Sequence, residues 1–289
     1  MQRKNMTAGV LLVTVSAAAF GIMPILAKLA YRTGASAQTL LLLRFSIAAA
    51  ALFAVMLVKR PPMPSGREIL AYLLLGGAGY VGQSLSYFTA INHASSGAVS
   101  LLLYTYPALV MTGSALVFRE KITARKLLSL ALALGGAFII IGGDLRAEPL
   151  GVLLAFSAAG IYTVYILTSS RVIRPGMQIQ SSAFIMLGAA AVFGVINGFR
   201  GFSPPTGAGG WAATLAIALF CTALAVWAFF AGMAKTGPTA TSLVSTLEPV
   251  VTVLASALLL SERITAAMIV GGCLVLASLL ITVFAERKT

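Results

Sequence analysis

The residues able to do chemistry are few, and they sit where such side chains cost most. Glu248 lies in the middle of an apolar run, where a carboxyl group costs roughly 2.5–3.5 kcal/mol on insertion scales. It must face a protein interior or a watery cavity. Two roles fit it. It is either a proton or cation site, or a structural acid that donates to a backbone carbonyl freed by Pro249, which deletes one helix hydrogen bond. The residues alone favour the structural role. Arg44 lies within another apolar run. It pairs with a substrate carboxylate or with Glu248, or it snorkels to the interface, as long basic side chains near helix ends do. Lys28 is close enough to the end of its run for snorkelling to be the better reading.

Tyr80, Gln83 and Tyr87 recur at helical spacing, with Ser84 alongside, so they share a helix face. Such a face suits a cavity wall that stacks a ring and hydrogen-bonds a polar group. Tyr104, Tyr162, Tyr165 and Trp227 are candidates to join it; the alternative is aromatic packing between helices. The expected substrate-binding set is therefore Arg44, Tyr80, Gln83, Tyr87, Tyr104, Tyr162, Trp227 and Glu248. Pro107 and Pro249 form a second, mechanical set, since proline weakens a helix where it falls.

Several chemistries have no residues to carry them. Cys221 and Cys273 sit inside apolar runs, and His93 stands alone at the end of one, so no disulfide framework or metal set is expected. His93 reads as an interfacial polar residue. Intramembrane hydrolysis would need a placed nucleophile and base, paired acids or a metal. A channel filter would need charged or carbonyl rings. No P-loop is present to bind ATP. The expectation is no enzyme, no catalytic residue, no metal and no cofactor.

The elements that must position these residues follow from composition. The chain has 289 residues, 59% hydrophobic and 9% charged, with a mean hydropathy of +0.98. A soluble domain carries about a quarter charged residues. Repeated apolar runs of about 20 residues indicate an all-α integral membrane protein. The net charge of +13 is scattered between the runs and forms no stripe, so no nucleic-acid partner is expected. Ten spans are expected, roughly 7–30, 38–58, 69–90, 97–118, 127–142, 150–169, 180–199, 210–233, 238–260 and 266–285. The first imitates a signal peptide, Arg3-Lys4 followed by an apolar stretch and Val15-Ser-Ala-Ala-Ala19, but the run continues to Ala30 and is read as an uncleaved span.

One stretch occurs twice. Ala98-Val-Ser-Leu-Leu-Leu-Tyr-Thr-Tyr-Pro107 runs on to Arg119-Glu-Lys-Ile-Thr123, and Ala240-Thr-Ser-Leu-Val-Ser-Thr-Leu-Glu-Pro249 runs on to Ser261-Glu-Arg-Ile-Thr265. Pro107 matches Pro249, Glu120 matches Glu262, and Ser100 matches Ser242, without a gap. The copies cover the fourth and ninth spans, so the unit is five spans long, residues 1–146 and 147–289. Five is odd, so the two halves enter the membrane from opposite sides. Such an inverted repeat is a common plan of secondary transporters, with the substrate site at the midplane between halves. Placing the loops on alternate sides puts 14 Lys and Arg on one side and four, Arg32, Arg146, Arg200 and Arg263, on the other. By the positive-inside rule both termini are cytoplasmic. Abundant glycines, among them Gly76, Gly77, Gly79, Gly82, Gly135, Gly136, Gly271 and Gly272, allow close helix approach.

The ten spans, the two halves, Leu247-Glu-Pro-Val250, and the Glu-Lys/Arg-Ile-Thr sequences at 120–123 and 262–265 resemble the EamA-type transporters of the drug/metabolite transporter superfamily. The likeness covers almost the whole chain. The polar and aromatic content of the spans is also similar to aromatic amino-acid exporters of the YddG type. The resemblance implies a bacterial inner-membrane carrier that moves small organic solutes outward by alternating access, amino acids with aromatic ones preferred. A proton-coupled exporter of cationic drugs or quaternary ammonium compounds is the alternative, with Glu248 binding cation and proton in competition. The expected partners are a small-molecule substrate and the lipid bilayer. The sequence is silent on oligomeric state.

Overall fold

A computed structural model describes residues 2–90, 93, 99, 102–141, 148–260 and 266–286. Expectations falling on Ala98, Ser100, Arg146, residues 261–265 with Glu262 and Arg263, and Arg287–Lys288 lie outside the described residues. All regular structure among the described residues is helical. Helix α1 is Gln2–Arg32 and α2 Ala37–Lys59. Helix α3, Gly66–Leu74, passes through a π-helical turn, Leu75–Tyr80, into α4, Val81–Ala90. Helix α5 is Tyr106–Phe118, α6 Ala124–Ile141, α7 Pro149–Val172 and α8 Gln178–Arg200. Helix α9, Gly207–Ala218, passes through a second π turn, Leu219–Leu224, into α10, Ala225–Ser245. Helices α11, Glu248–Leu260, and α12, Ala266–Glu286, complete the order.

Local sequence sets the ends of these helices. The Ser36 hydroxyl accepts from the Thr39 N–H to start α2, and Ser65 with Glu68 forms a reciprocal capping box that starts α3. Pro149 opens α7, where its missing N–H is not needed. Gly237, at φ 78°, divides α10 in two before Pro238. Only glycine adopts that backbone readily, so the eighth and ninth expected spans are separated at this point.

Six helical stretches among the described residues are long and apolar enough to cross a membrane: Met6–Arg32, Ala37–Lys59, Gly66–Tyr87, Pro149–Val172, Gln178–Arg200 and Gly207–Ser245. The last holds the Gly237 break, and Tyr106–Phe118 is a shorter apolar helix. Large apolar side chains point outward: Leu57, Leu116, Phe199 and Leu258 are at least 77% exposed. The polar side chains Thr39, Gln180, Ser129 and Ser278 are fully buried. That inversion suits a hydrocarbon surround, where polar groups must be satisfied inside the protein.

The helix pairings repeat across the two halves. Helix α2 packs on α8 and α6 on α12, each a pair of corresponding helices. Contacts α1–α10, α3–α8 and α1–α11 have the counterparts α7–α4, α9–α2 and α7–α5. These pairs exchange with one another when the halves are exchanged. Each self-paired contact carries a buried hydrogen bond: Thr39 Oγ1 donates to Asn197 Oδ1 at 2.7 Å, and Ser129 Oγ lies 2.9 Å from Ser278 Oγ. Small residues make the seams close. A Cβ on Gly76 would stand 1.9 Å from the Ile185 carbonyl oxygen, and one on Gly188 2.3 Å from that of Leu73.

Candidate functional site

The two proline motifs produce the same break in each half. The chain turns at Tyr104–Thr105 just before α5, and α10 ends in a turn at Thr246–Leu247. In both turns a threonine hydroxyl, of Thr105 or Thr246, donates to the carbonyl three residues back at 2.6 Å. Pro107 and Pro249 each stand second in the helix that restarts. The structure corrects one expectation. Proline so placed removes an N–H that would be unpaired anyway, so Pro249 orphans no carbonyl in a continuous helix. Among the described residues the Glu248 carboxyl caps no such group. It stands instead in the first turn of α11, at the positive end of the helix dipole, half-buried.

Around that break the aromatic residues gather. A narrow space, with closed room for about one water molecule, is lined by Phe20, Tyr80, Tyr162, Tyr165, Val226 and Phe229. Tyr80 and Tyr165 meet edge to face with centroids 5.5 Å apart, Tyr162 stacks on Tyr165 at 6.0 Å, and Tyr106 meets Tyr162 edge to face at 4.9 Å. The Glu248 carboxyl interacts electrostatically with the hydroxyls of Tyr104, Tyr106 and Tyr162. Among the described residues the Tyr165 hydroxyl is buried without a hydrogen-bond partner, and Ser245 stands beside the Tyr106 hydroxyl. Buried polar groups are nearly always bonded, so an orphan hydroxyl beside an open space marks a place for a ligand or water.

Arg44 does not snorkel. It is 5% exposed. Its Nε donates to Thr222 Oγ1 at 2.7 Å and its Nη2 to the Tyr80 hydroxyl at 3.1 Å. Its guanidinium carbon lies 4.9 Å from the Phe45 ring centroid. Tyr80 and Thr222 stand on the two π turns, one in each half. A π turn adds a residue to the helix and redirects the side chains after it, and here both aim at one arginine.

The expected stripe runs on from the π turn into α4. Tyr80 faces the open space. Gln83 Oε1 accepts from Ser84 at 3.3 Å, and Tyr87 packs against the cluster of Ala90, Val99 and Ala155, within electrostatic reach of the Tyr104 hydroxyl. Trp227 is half-buried between Val226 and Ala228 and is not among the residues lining the space, which takes Val226 and Phe229 from the same helix. Tyr104 and Tyr162 stand with Glu248 as above. Sequence reasoning missed Phe20, Phe45, Thr222 and Phe229. Phe20 had one signal, because Ala19-Phe-Gly-Ile22 weakly matches Ala158-Ala-Gly-Ile161 in the second half.

Polar links away from the space join the halves. Glu120, after α5, pairs with Lys126 of α6, and its Oε2 accepts from Thr239 Oγ1, just past the Gly237 break, at 2.7 Å. His93 Nδ1 lies 3.0 Å from Glu148 Oε2 at the start of α7, in keeping with its reading as an interfacial polar residue. Thr239→Val keeps the shape and removes a bond to a carboxylate worth about 1.5–3 kcal/mol. If that contact must open in each cycle, turnover changes about tenfold while the apparent affinity for solute holds. A change confined to affinity would count against a latch.

Comparison with known proteins agrees with this arrangement. A model of the EamA-like transporter family matches residues 7–142 and again 149–284. An uncharacterized transporter of Bacillus subtilis (strain 168), YcbK, is 24% identical over 281 residues, covering 93% of this chain and 90% of that protein. A second from the same organism, YyaM, is 22% identical over 252 residues, covering 82% of this chain and 81% of its own. An uncharacterized transporter of Haemophilus influenzae is 24% identical over 187 residues, 62% of this chain and 61% of its own. One crystal structure superposes with a TM-score of 0.84 at 21% identity over 98% of both chains, a likeness of fold.

Proposed function

Because this chain belongs to the EamA-like transporter family, we propose that it is a secondary transporter exporting small organic solutes, amino acids and preferably aromatic ones, by alternating access. In this reading ten spans form two inverted five-helix halves, residues 1–146 and 147–289, in a bacterial inner membrane with both termini in the cytoplasm. The observation that carries the reading is that Glu248, Tyr104 and Tyr106 stand at paired helix breaks, with Tyr162 of α7 against Tyr106 and lining an aromatic space. Paired interruptions in corresponding segments are the best structural pointer to a carrier's site. Tyrosine rings supply the walls for an aromatic side chain, and Glu248 supplies a partner for an ammonium group.

The same carboxylate in an aromatic cage also favours the second reading, an exporter of organic cations, since cations bind over aromatic faces. One experiment separates the two. Proteoliposomes preloaded with unlabelled phenylalanine are offered labelled phenylalanine, with leucine, ethidium and protein-free vesicles as comparisons. Saturable, stereoselective exchange of phenylalanine supports the amino-acid reading. Movement of ethidium without amino-acid exchange supports the cation reading and rejects the first.

A further inference from the structure

Arg44 is a buried charge with no acid beside it among the described residues. The described carboxylates elsewhere are taken: Glu68 lies 3.0 Å from Arg174, Glu120 pairs with Lys126, and Glu148 lies 3.0 Å from His93. Glu248 keeps to the Tyr104, Tyr106 and Tyr162 hydroxyls. The described polar groups that Arg44 meets are neutral: Thr222, Tyr80, the Tyr31 hydroxyl and the Cys221 thiol. A charge held in a low-dielectric interior without a counter-ion is expensive, and such residues inside membranes mark substrate or ion pathways.

The geometry aims this charge. Thr222 Oγ1 donates its own proton to the Ile217 carbonyl at 2.8 Å, so a lone pair is left for Arg44 Nε. The Tyr80 hydroxyl accepts from Nη2, so its proton is free to donate, and its ring lines the open space. A phenol that accepts from a cation is a strengthened donor. Two of the guanidinium N–H groups are occupied by these contacts. The others have no partner among the described residues, and their planar fork matches a carboxylate.

We propose that Arg44, with the Tyr80 hydroxyl, is the anchor for an anionic group on the transported solute, so that the cargo is a carboxylate-bearing molecule with a flat apolar body and not a bare organic cation. The inference rests on the transporter reading of this space and narrows it. The carboxylate sits at the Arg44–Tyr80 end, and the ring lies against Phe20, Tyr162, Tyr165 and Phe229. An alternative duty for Arg44, merely tying the two π turns together, predicts no preference for solute charge.

The test is competition against phenylalanine counterflow by 3-phenylpropionate, which keeps the carboxylate and lacks the ammonium, and by phenethylamine, which does the reverse. Phenylpropionate is expected to compete at least tenfold better. In Arg44→Gln that advantage disappears, and in Arg44→Lys, a point charge without the fork, it shrinks. Thermal stabilisation of the purified protein in detergent by phenylpropionate is measured alongside, for the wild type and Arg44→Lys, so that a Gln variant that fails to fold leaves the test intact. Phenethylamine competing as well as phenylpropionate while exchange continues overturns the proposal and spares the transporter reading. So does an unchanged charge preference in the folded variants. If no solute is exchanged, the transporter reading falls, and the thermal measurement decides: stabilisation of wild type lost in Arg44→Lys supports an anion site, and no stabilisation rejects it.

Discussion

Gly76→Val is expected to leave little folded protein in the membrane. The first π turn lies against α8 so closely that a Cβ at this position would stand 1.9 Å from the Ile185 carbonyl oxygen, 2.7 Å from its carbon and 3.0 Å from its Cα. All three are backbone atoms, so no rotamer change relieves the clash. Ordinary contact needs at least 3.4 Å, and the helices would have to part by about 1.5 Å along a seam that Gly188 closes from the other side. Overpacking in a close-packed interior costs about 1–3 kcal/mol, and more where backbone must move. The seam also carries Tyr80, so separation misplaces the residue that holds Arg44. The check is the yield of monodisperse protein after extraction and its melting temperature. Gly77→Ala is the control, because a Cβ there meets the Gly188 carbonyl oxygen at 3.4 Å, an ordinary contact. Similar behaviour of the two variants would mean that the close approach at Gly76 is not what sets the packing.

Glu248→Gln is expected to cut exchange of phenylalanine by about ten- to a hundredfold with little change in melting temperature. The carboxyl group caps no backbone carbonyl and forms no ion pair among the described residues, so its loss costs the fold little. What it offers is a charge near Tyr104, Tyr106 and Tyr162, the last of which lines the aromatic space. A hydrogen bond to a charged group contributes about 1.5–3 kcal/mol, and each 1.4 kcal/mol is about tenfold. Counterflow rates on protein reconstituted to equal density provide the measurement, and a pH gradient imposed in a second run tests whether the same group carries protons. Full activity with normal yield would return Glu248 to a structural role and would remove the basis of the cation reading as well. A fall in melting temperature matching the fall in activity would do the same to the ligand-binding role.

These two outcomes separate packing from chemistry, and the sequence had marked both residues for different reasons. Gly76 belonged to a cluster of small residues, which states that helices approach closely but not which ones. Glu248 was marked by the cost of a carboxyl group in an apolar run. The carbonyl that Pro249 would orphan in a continuous helix is not there, because Pro249 stands in the first turn of α11, where its missing N–H has no helical partner to lose.

Hydropathy and repetition alone determined the class of this protein and its two-part plan. Apolar runs of spanning length, polar residues confined within them and a motif recurring in register are one-dimensional facts, and the bilayer leaves helices as their natural outcome. The paired breaks were equally legible, since proline and the residues around it act locally. Register and long-range contact were not legible. The π turns at 75–80 and 219–224 have no sequence signature here; each lies where its helix packs against α8 or α2 of the opposite half. They set the face from which Tyr80 meets Arg44 and the open space. Arg44 read equally well as a snorkelling residue, because its partners lie 36 and 178 positions away. Phe20 and Phe229 look like any phenylalanine in an apolar run until packing turns them to one cavity. A side chain's cost is written in its own type and its neighbours in the chain, whereas its partner is chosen by the folded surface that reaches it.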